Sequence, residues 1–296
     1  MGTHLGANQY GKAEIRMVTV DRDTPVHRLR DLTVSTALRG RLEATHLSGD
    51  NADVVATDTQ KNTVYAFAKE HGVGEIEDFA LRLGRHFVDQ FDHISGARIL
   101  IEEHGWDRIT IGGEPHDHAF SRGSEERRTT AVTVDGDRSW VVSGLTGLVV
   151  LKSTGSEFHG FPRDRYTTLP ETEDRILATA VTARWRYRNG TAEWSACFSD
   201  ARRVLLETFA AKHSLSLQQT LYAMGEAVLA EREEVAEIRL SLPNRHHFPV
   251  DLSPFGLDNP NEVFFAADRP YGLIEGSVTR DDSGDPGLAW HTLDAF

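Results

Sequence analysis

The sequence predicts an α+β fold made of two similar halves, and three observations carry that prediction. Stretches in which apolar residues alternate with charged ones have the period of half-buried strands. Others repeat their apolar residues every three or four positions, the period of a helix. The two kinds follow one order twice: two strands, two helices, two strands.

In the first half, Lys12-Ala13-Glu14-Ile15-Arg16-Met17 alternates as a strand, which places Lys12 on one face with Glu14 and Arg16. A second strand spans residues 32–42. Helical spacing follows at residues 64–69 and again at Phe79, Leu83, Phe87 and Phe91, one every four. Strands return at residues 98–101 and 131–134. In the second half, Leu145 to Leu151 is rich in Val and Leu, and Arg184-Trp185-Arg186-Tyr187-Arg188 alternates aromatic with basic. Val204, Leu205 and Phe209 mark one helix, and Leu221, Met224 and Val228 another. Ile238, Leu240 and Leu242 alternate as a strand, and residues 273–279 form the last one. The turn-like Asp135-Gly136-Asp137 divides the halves into residues 8–135 and 136–296. They share a pattern, not residue identity.

Composition narrows the function classes. With 39% hydrophobic and 26% charged residues the chain has the make-up of a globular protein. Lys and Arg number 32 against 45 Asp and Glu, a formal net charge of -13. Such a surface repels phosphate backbones, so nucleic acid is not an expected partner. Screening limits that repulsion to about 8 Å at physiological salt, so a local arginine can still hold a small anion in a pocket. Cys197 is the only cysteine, which excludes an intrachain disulfide and suits a reducing cytoplasm. No apolar run approaches the roughly 20 residues of a membrane span. The start, Met1-Gly2-Thr3-His4-Leu5-Gly6, is neither a signal peptide nor a myristoylation site, and Asp294-Ala295-Phe296 is not a Ser-Lys-Leu peroxisomal address. A cytoplasmic location is expected.

The motif inventory points away from bound cofactors. There is no Gly-x-Gly-x-x-Gly between strand and helix, and no phosphate-binding loop. His116-Asp117-His118 is the nearest approach to a metal cluster, but a third ligand at diagnostic spacing is missing, so no metal site is expected.

Four segments carry chemistry-bearing side chains. The first is Asn8-Gln9-Tyr10-Gly11-Lys12, where Lys12 is either a solvated lysine or a functional one. The second runs from Val55 through Thr57-Asp58-Thr59-Gln60 to Thr63. Thr57 and Gln60 have capping-box spacing, and a capping threonine lies where helix N–H groups also suit an anion. The third is Lys152 to Phe161 followed by Arg163-Asp164 and Tyr166 to Leu169, with rings between glycines and polar residues. Phe158 and Phe161 fit either a binding loop or the core, and Arg175, downstream, is by default a surface residue. The fourth is Ser241-Leu242-Pro243-Asn244-Arg245-His246-His247-Phe248. If this chain stays extended, Asn244 and His246 share a face about 6.5 Å apart and His247 faces away.

Taken in order, QYGKAEIR, VVATDTQKNT, LKSTGSEFHGF with RDRYTTL, SLPNRHHF and NPNEVFFAADRPYGLIE resemble the urate oxidase (uricase) family, bacterial members most closely. The resemblance covers about Asn8 to about Arg280. It implies tandem tunnelling-fold (T-fold) domains, each an antiparallel four-stranded sheet with two helices on one face, closed by four subunits into a tetrameric barrel. It implies a homotetramer with active sites at subunit interfaces, urate and O2 as substrates, and no cofactor. Lys12, Thr57 and His246 match the family's catalytic relay. Asp58 helps line the site. Arg175 and Gln218 match the pair that grips the urate ring, Phe158 the ring that stacks on it, and Leu217 a position offering backbone contact. Asn244 matches the amide beside the O2 or water site, and Leu169 and Ser216 match wall positions. These types suit a planar anion: an Arg fork holds two acceptors, Gln presents a donor and an acceptor, and Phe supplies a flat apolar face. A lysine base must be largely neutral, which burial at an interface favours. Ala180 stands where relatives commonly have Asp, and Pro162 where many have a small or aliphatic residue. Two rival readings are a zinc-dependent tunnelling-fold enzyme acting on a pterin or purine, and a non-enzymatic urate-binding homologue.

Overall fold

The computed structural model describes residues 2–188, 192–267 and 269–291. Met1 and Asp294-Ala295-Phe296, which the targeting expectations involve, lie outside the described residues. The chain forms two compact units. One holds the residues up to Gly144 with 186–195 and the segment from Gly284, and the other holds Leu145–Trp185 and Ala196–Ser283.

The first unit contains β1 (Tyr10–Asp21), β2 (Arg28–Gly40), α1 (Glu43–Ser48), α2 (Thr57–His71), α3 (Ile76–Gln90), β3 (Ile94–His104), a hairpin of β4 (Asp107–Ile111) and β5 (Glu114–Ser121), and β6 (Arg127–Asp135). Its sheet order is β1-β2-β3-β6, every neighbour antiparallel. Helix α2 buries Gln60, Val64 and Ala68, one every four residues, so a single stripe meets the sheet. Helix α3 buries Ile76, Phe79, Ala80, Leu83 and Phe87. Phe91, the fourth ring of that stripe in the sequence, lies just past the helix with extended backbone and closes it.

The second unit follows the same plan. It contains most of β7 (Arg138–Lys152) and β8 (Leu177–Tyr187), then α4 (Trp194–Ala211), α5 (Leu217–Glu231), β9 (Val235–Asn244), the short β10 (His247–Pro249) and β11 (Phe264–Ala266), and β12 (Gly272–Thr279). Strand order is β7-β8-β9-β12, with β9 and β12 antiparallel and α5 packed on both. The halves differ in residue identity yet solve one packing problem alike. Gly84 of α3 lies against Val134 and Ile99, and Gly225 of α5 against Val278 and Ile238. A Cβ added at either would come within 2.8 Å and 2.5 Å of a valine methyl, so each helix rests on its sheet through a glycine.

One expectation about β1 is overturned. Lys12 does not share a face with Arg16. Lys12 pairs with Thr36 and Ile15 with Val34, so two residues, Ala13 and Glu14, oppose the single residue Ser35. This β-bulge carries one extra residue and reverses the alternation. Arg16 donates to Thr33 Oγ1 at 2.8 Å and pairs with Asp31, on one face. Lys12 stands opposite Thr36, whose hydroxyl donates to Gln60 of α2, on the other face. The extra residue therefore moves Lys12 to the side covered by helices.

Gly11 approaches β2 too closely for a side chain: an added Cβ would overlap the Thr36 carbonyl oxygen. Gly11→Ala is expected to lower the unfolding free energy by about 1–3 kcal/mol through overpacking. Urea denaturation checks it, and an unchanged midpoint would contradict this close approach.

Candidate active site

Two clusters of polar side chains stand out, one in each unit. In the first, four hydrogen bonds tie the start of β1 to the start of α2. Tyr10 Oη accepts from the Val55 backbone N–H at 2.7 Å, and Gln60 Nε2 donates to the Val55 carbonyl at 3.1 Å. Thr36 Oγ1 donates to Gln60 Oε1 at 2.7 Å and accepts from the Lys12 N–H at 3.2 Å. Gln60 is fully buried, and its amide satisfies groups on β2 and on the segment entering α2.

The capping box expected from Thr57 and Gln60 does not form. Thr57 is the first helical residue, Ala56 is the N-cap and makes no side-chain cap bond, and Gln60 points inward. The half-buried Thr57 hydroxyl is thus at the positive end of a 15-residue helix, a position that favours anions. Exposed Asp58 accepts from Lys61 at 2.5 Å and Asn62 at 2.9 Å. Lys61, by hydrogen bond and charge, holds the Asp58 carboxyl below its usual range, and Asn62 and the charge of Lys12 add smaller contributions in the same direction. Thr57 and Asp58 are adjacent in the first turn of α2, and the charge of Lys12 reaches Asp58.

In the second unit, the segment between β7 and β8 is stitched to the chain before α5. Ser214 N–H donates to the Gly155 carbonyl at 3.0 Å, and Glu157 N–H to the Ser214 carbonyl at 2.8 Å. Phe158 and Thr172 exchange two backbone bonds, at 2.8 and 3.0 Å, and Arg175 N–H donates to the Ser156 carbonyl at 2.8 Å. Gly155, at φ 72°, makes the turn that this weave requires. The result stacks side chains: the Arg175 guanidinium lies 5.1 Å from the Phe158 ring centroid, and Phe161 stacks on Phe158 at 5.1 Å with 16° between planes. Burial pulls the Arg175 pKa down, but arginine starts so high that it stays charged. At the adjoining start of α5, Ser216 is the N-cap and accepts from Gln219 N–H, Leu217 is buried, and Gln218 is exposed.

His246 lies between two strands. Strand β9 ends at Asn244, and Arg245 N–H donates to the Ala178 carbonyl at 2.8 Å. Arg245 and His246 connect β9 to β10. The His246 ring stacks on Phe248 at 5.6 Å and 23°. Its pKa falls below the usual histidine value, first through burial, then through the positive charges of Arg175 and His247. The charge of Arg175 is thus felt at the His246 ring. Asn244 faces Gly272 of β12, which has no side chain to cover it.

The structure thus holds Lys12, Thr57 and Asp58 in one unit. The other holds Arg175 over Phe158, His246 within reach of the arginine's charge, Leu217 and Gln218 at the start of α5, Asn244 at the end of β9, and Leu169 exposed on the Phe158 segment. Sequence reasoning missed the supports: Tyr10, Thr36 and buried Gln60 behind Lys12, and Ser156 behind Arg175. A polar residue at Gln60 on the same helical stripe as Val64 and Ala68 was the available signal.

Fold and clusters together define an α+β protein of two tandem tunnelling-fold halves that presents cationic and aromatic side chains suited to a flat anion. The uricase family model matches residues 8–133 and 141–275. A uricase of Arthrobacter globiformis is 56% identical over 99% of this chain and 95% of its own length, and one of Aspergillus flavus is 42% identical over 93% and 96%. The crystal structure of the Arthrobacter globiformis uricase superposes with a TM-score of 0.94 at 55% identity, covering 99% of this chain and all of that one. The chain belongs to the uricase family.

His246 is expected to titrate below the ordinary histidine value of about 6.5, since burial and nearby cations disfavour its charged form. Arg175→Ala removes one cation and should raise the midpoint, read from the histidine ring protons by NMR. A midpoint unmoved by that substitution would separate the two side chains.

Proposed function

We propose that this chain is a urate oxidase that converts urate, O2 and water to 5-hydroxyisourate and hydrogen peroxide without a bound cofactor. Urate gives up two electrons, O2 takes them with two protons to become hydrogen peroxide, and water supplies the new ring hydroxyl. The observation that carries the reading is the Arg175 guanidinium over the Phe158 ring, a charged fork against an apolar plate, with His246 within reach of its charge.

In this reading Phe158 supports the flat face of urate. Arg175 and Gln218 hold its polar edges, Arg175 through parallel N–H bonds and Gln218 through a donor and an acceptor. The first helical turn of α5 offers the Leu217 N–H, which has no intrahelical acceptor. Lys12 is the base, and the Thr57 hydroxyl passes the proton to it, leaving an electron-rich dianion that reduces O2 directly. His246 completes the relay, Asp58 lines the site, and Asn244 lies beside the O2 or water position. Lys12, Thr57 and Asp58 of one copy act with the second-unit cluster of another, so active sites lie at interfaces of a homotetramer. The domain boundary at 135/136 follows the repeat, with β1–β6 in one T-fold domain and β7–β12 in the next.

Chelator-treated protein should consume urate and release an equal amount of hydrogen peroxide, followed by urate absorbance and a peroxide assay. Activity that vanishes with chelation and returns with zinc would sink the cofactor-free reading. Lys12→Met should keep assembly and anaerobic urate binding but lower kcat by roughly 100- to 10,000-fold. Wild-type turnover in that variant would remove Lys12 from the relay. Arg175→Ala, by contrast, should chiefly raise KM.

A further inference from the structure

The bulge in β1 links a backbone conformation to the direction of one side chain. Glu14 has φ 55°, one of two described non-glycine residues with positive φ. Left-handed backbone is unfavourable for a residue with a Cβ and persists where its surroundings hold it. Here two hydroxyls of β2 do so. Ser35 Oγ accepts from the Glu14 N–H at 2.9 Å, and Thr36 Oγ1 accepts from the Lys12 N–H at 3.2 Å, so side chains take over where the ladder is interrupted. Thr36 in turn is fastened to buried Gln60 on α2. In an uninterrupted strand, Lys12 and Arg16 would share a face, and Arg16 lies on the face of Thr33 and Asp31, away from α2.

We propose that the bulge at Ala13–Glu14, held by the hydroxyls of Ser35 and Thr36, aims Lys12 at the start of α2, which makes Glu14 a positioning residue through its backbone. The inference rests on the reading of Lys12 as the base. Glu14 contributes a conformation, not its carboxylate, so residues that accept left-handed backbone replace it and β-branched residues do not. Without the bulge, Lys12 turns to the Arg16 face, away from Thr57, while the cluster around Arg175 and Phe158 keeps its composition. The expected signature is lost turnover with substrate affinity retained.

The test compares Glu14→Gly, Glu14→Asn and Glu14→Val, each checked for assembly, with kcat, KM and anaerobic urate binding measured beside Lys12→Met. Glycine and asparagine accept positive φ, so both variants should keep kcat within about twofold of the wild type. Glu14→Val should lose roughly 10- to 100-fold in kcat with KM and urate binding within about twofold. Should Glu14→Val fail to assemble, Ser35→Ala, which removes the hydroxyl holding the bulge, should lower kcat in the same direction with KM unchanged. An assembled Glu14→Val with wild-type kcat overturns the proposal, as does loss of activity in Glu14→Gly, or an unchanged kcat in Ser35→Ala where that variant stands in. If Lys12→Met is inactive and Glu14→Val active, only the role of the bulge falls. If Lys12→Met itself keeps turnover, the base assignment falls and the aiming device with it.

Discussion

The buried amide of Gln60 is the interaction on which the first cluster depends. It bonds Thr36 on β2 and the carbonyl of Val55 ahead of α2, and both of its bonds are made away from water. Leaving such buried groups unpaired costs about 1–3 kcal/mol each, so a displaced helix start is penalised well beyond the loss of one contact. Tyr10 adds a second tie to Val55 from β1 itself. Strand β1 and the start of α2, which carry Lys12 and Thr57, are therefore locked together, and Thr57 does not serve as the N-cap.

The second cluster is organised by a different force. The Phe158 segment has little regular structure, and its shape comes from backbone bonds to Thr172, Ser214 and Arg175. Those bonds fix the rings and the guanidinium in one stack. Holding a cation half-buried against an aromatic face strips part of its water and strengthens its pull on an anion. That local field acts within a protein of net charge -13, and the two do not conflict, because screening confines the surface charge to about 8 Å at physiological salt. Burial first, and then the charges of Arg175 and His247, disfavour the protonated form of His246, so its imidazole is neutral over a wider pH range than a free one.

Much of this was legible in the sequence, for reasons that particular elements make plain. The four-residue step of Phe79, Leu83 and Phe87 marks α3 because one stripe of that helix meets the sheet. Alternation marks β1 and β9. The hairpin of β4 and β5 escaped, since none of its residues is buried and the alternation of Ile109 and Ile111 is only two residues long. The reversal of Lys12 escaped because bulges usually announce themselves by glycine, and here glutamate takes the left-handed position. The Thr57–Gln60 spacing misled because a capping box and a buried helix face can use the same residues, and only the hydroxyl of Thr36, distant in sequence, decides between them. Nothing local in the sequence marks the end of β9 at Asn244, two residues short of His246.

The site residues share a place in the fold that explains their scatter along the chain. Lys12 is near the start of β1, Thr57 opens α2, Leu217 opens α5, and Asn244 closes β9. Interiors of helices and strands have their backbone groups paired and their side chains committed to packing. Ends do not: a helix start leaves N–H groups without intrahelical acceptors, and a strand end frees side chains from cross-strand neighbours, as Gly272 does for Asn244. A repeated unit of sheet and helices supplies such ends in each half. In the proposed function the chemistry then differs between the halves, proton transfer in one and grip on a flat anion in the other, without disturbing the packing they have in common.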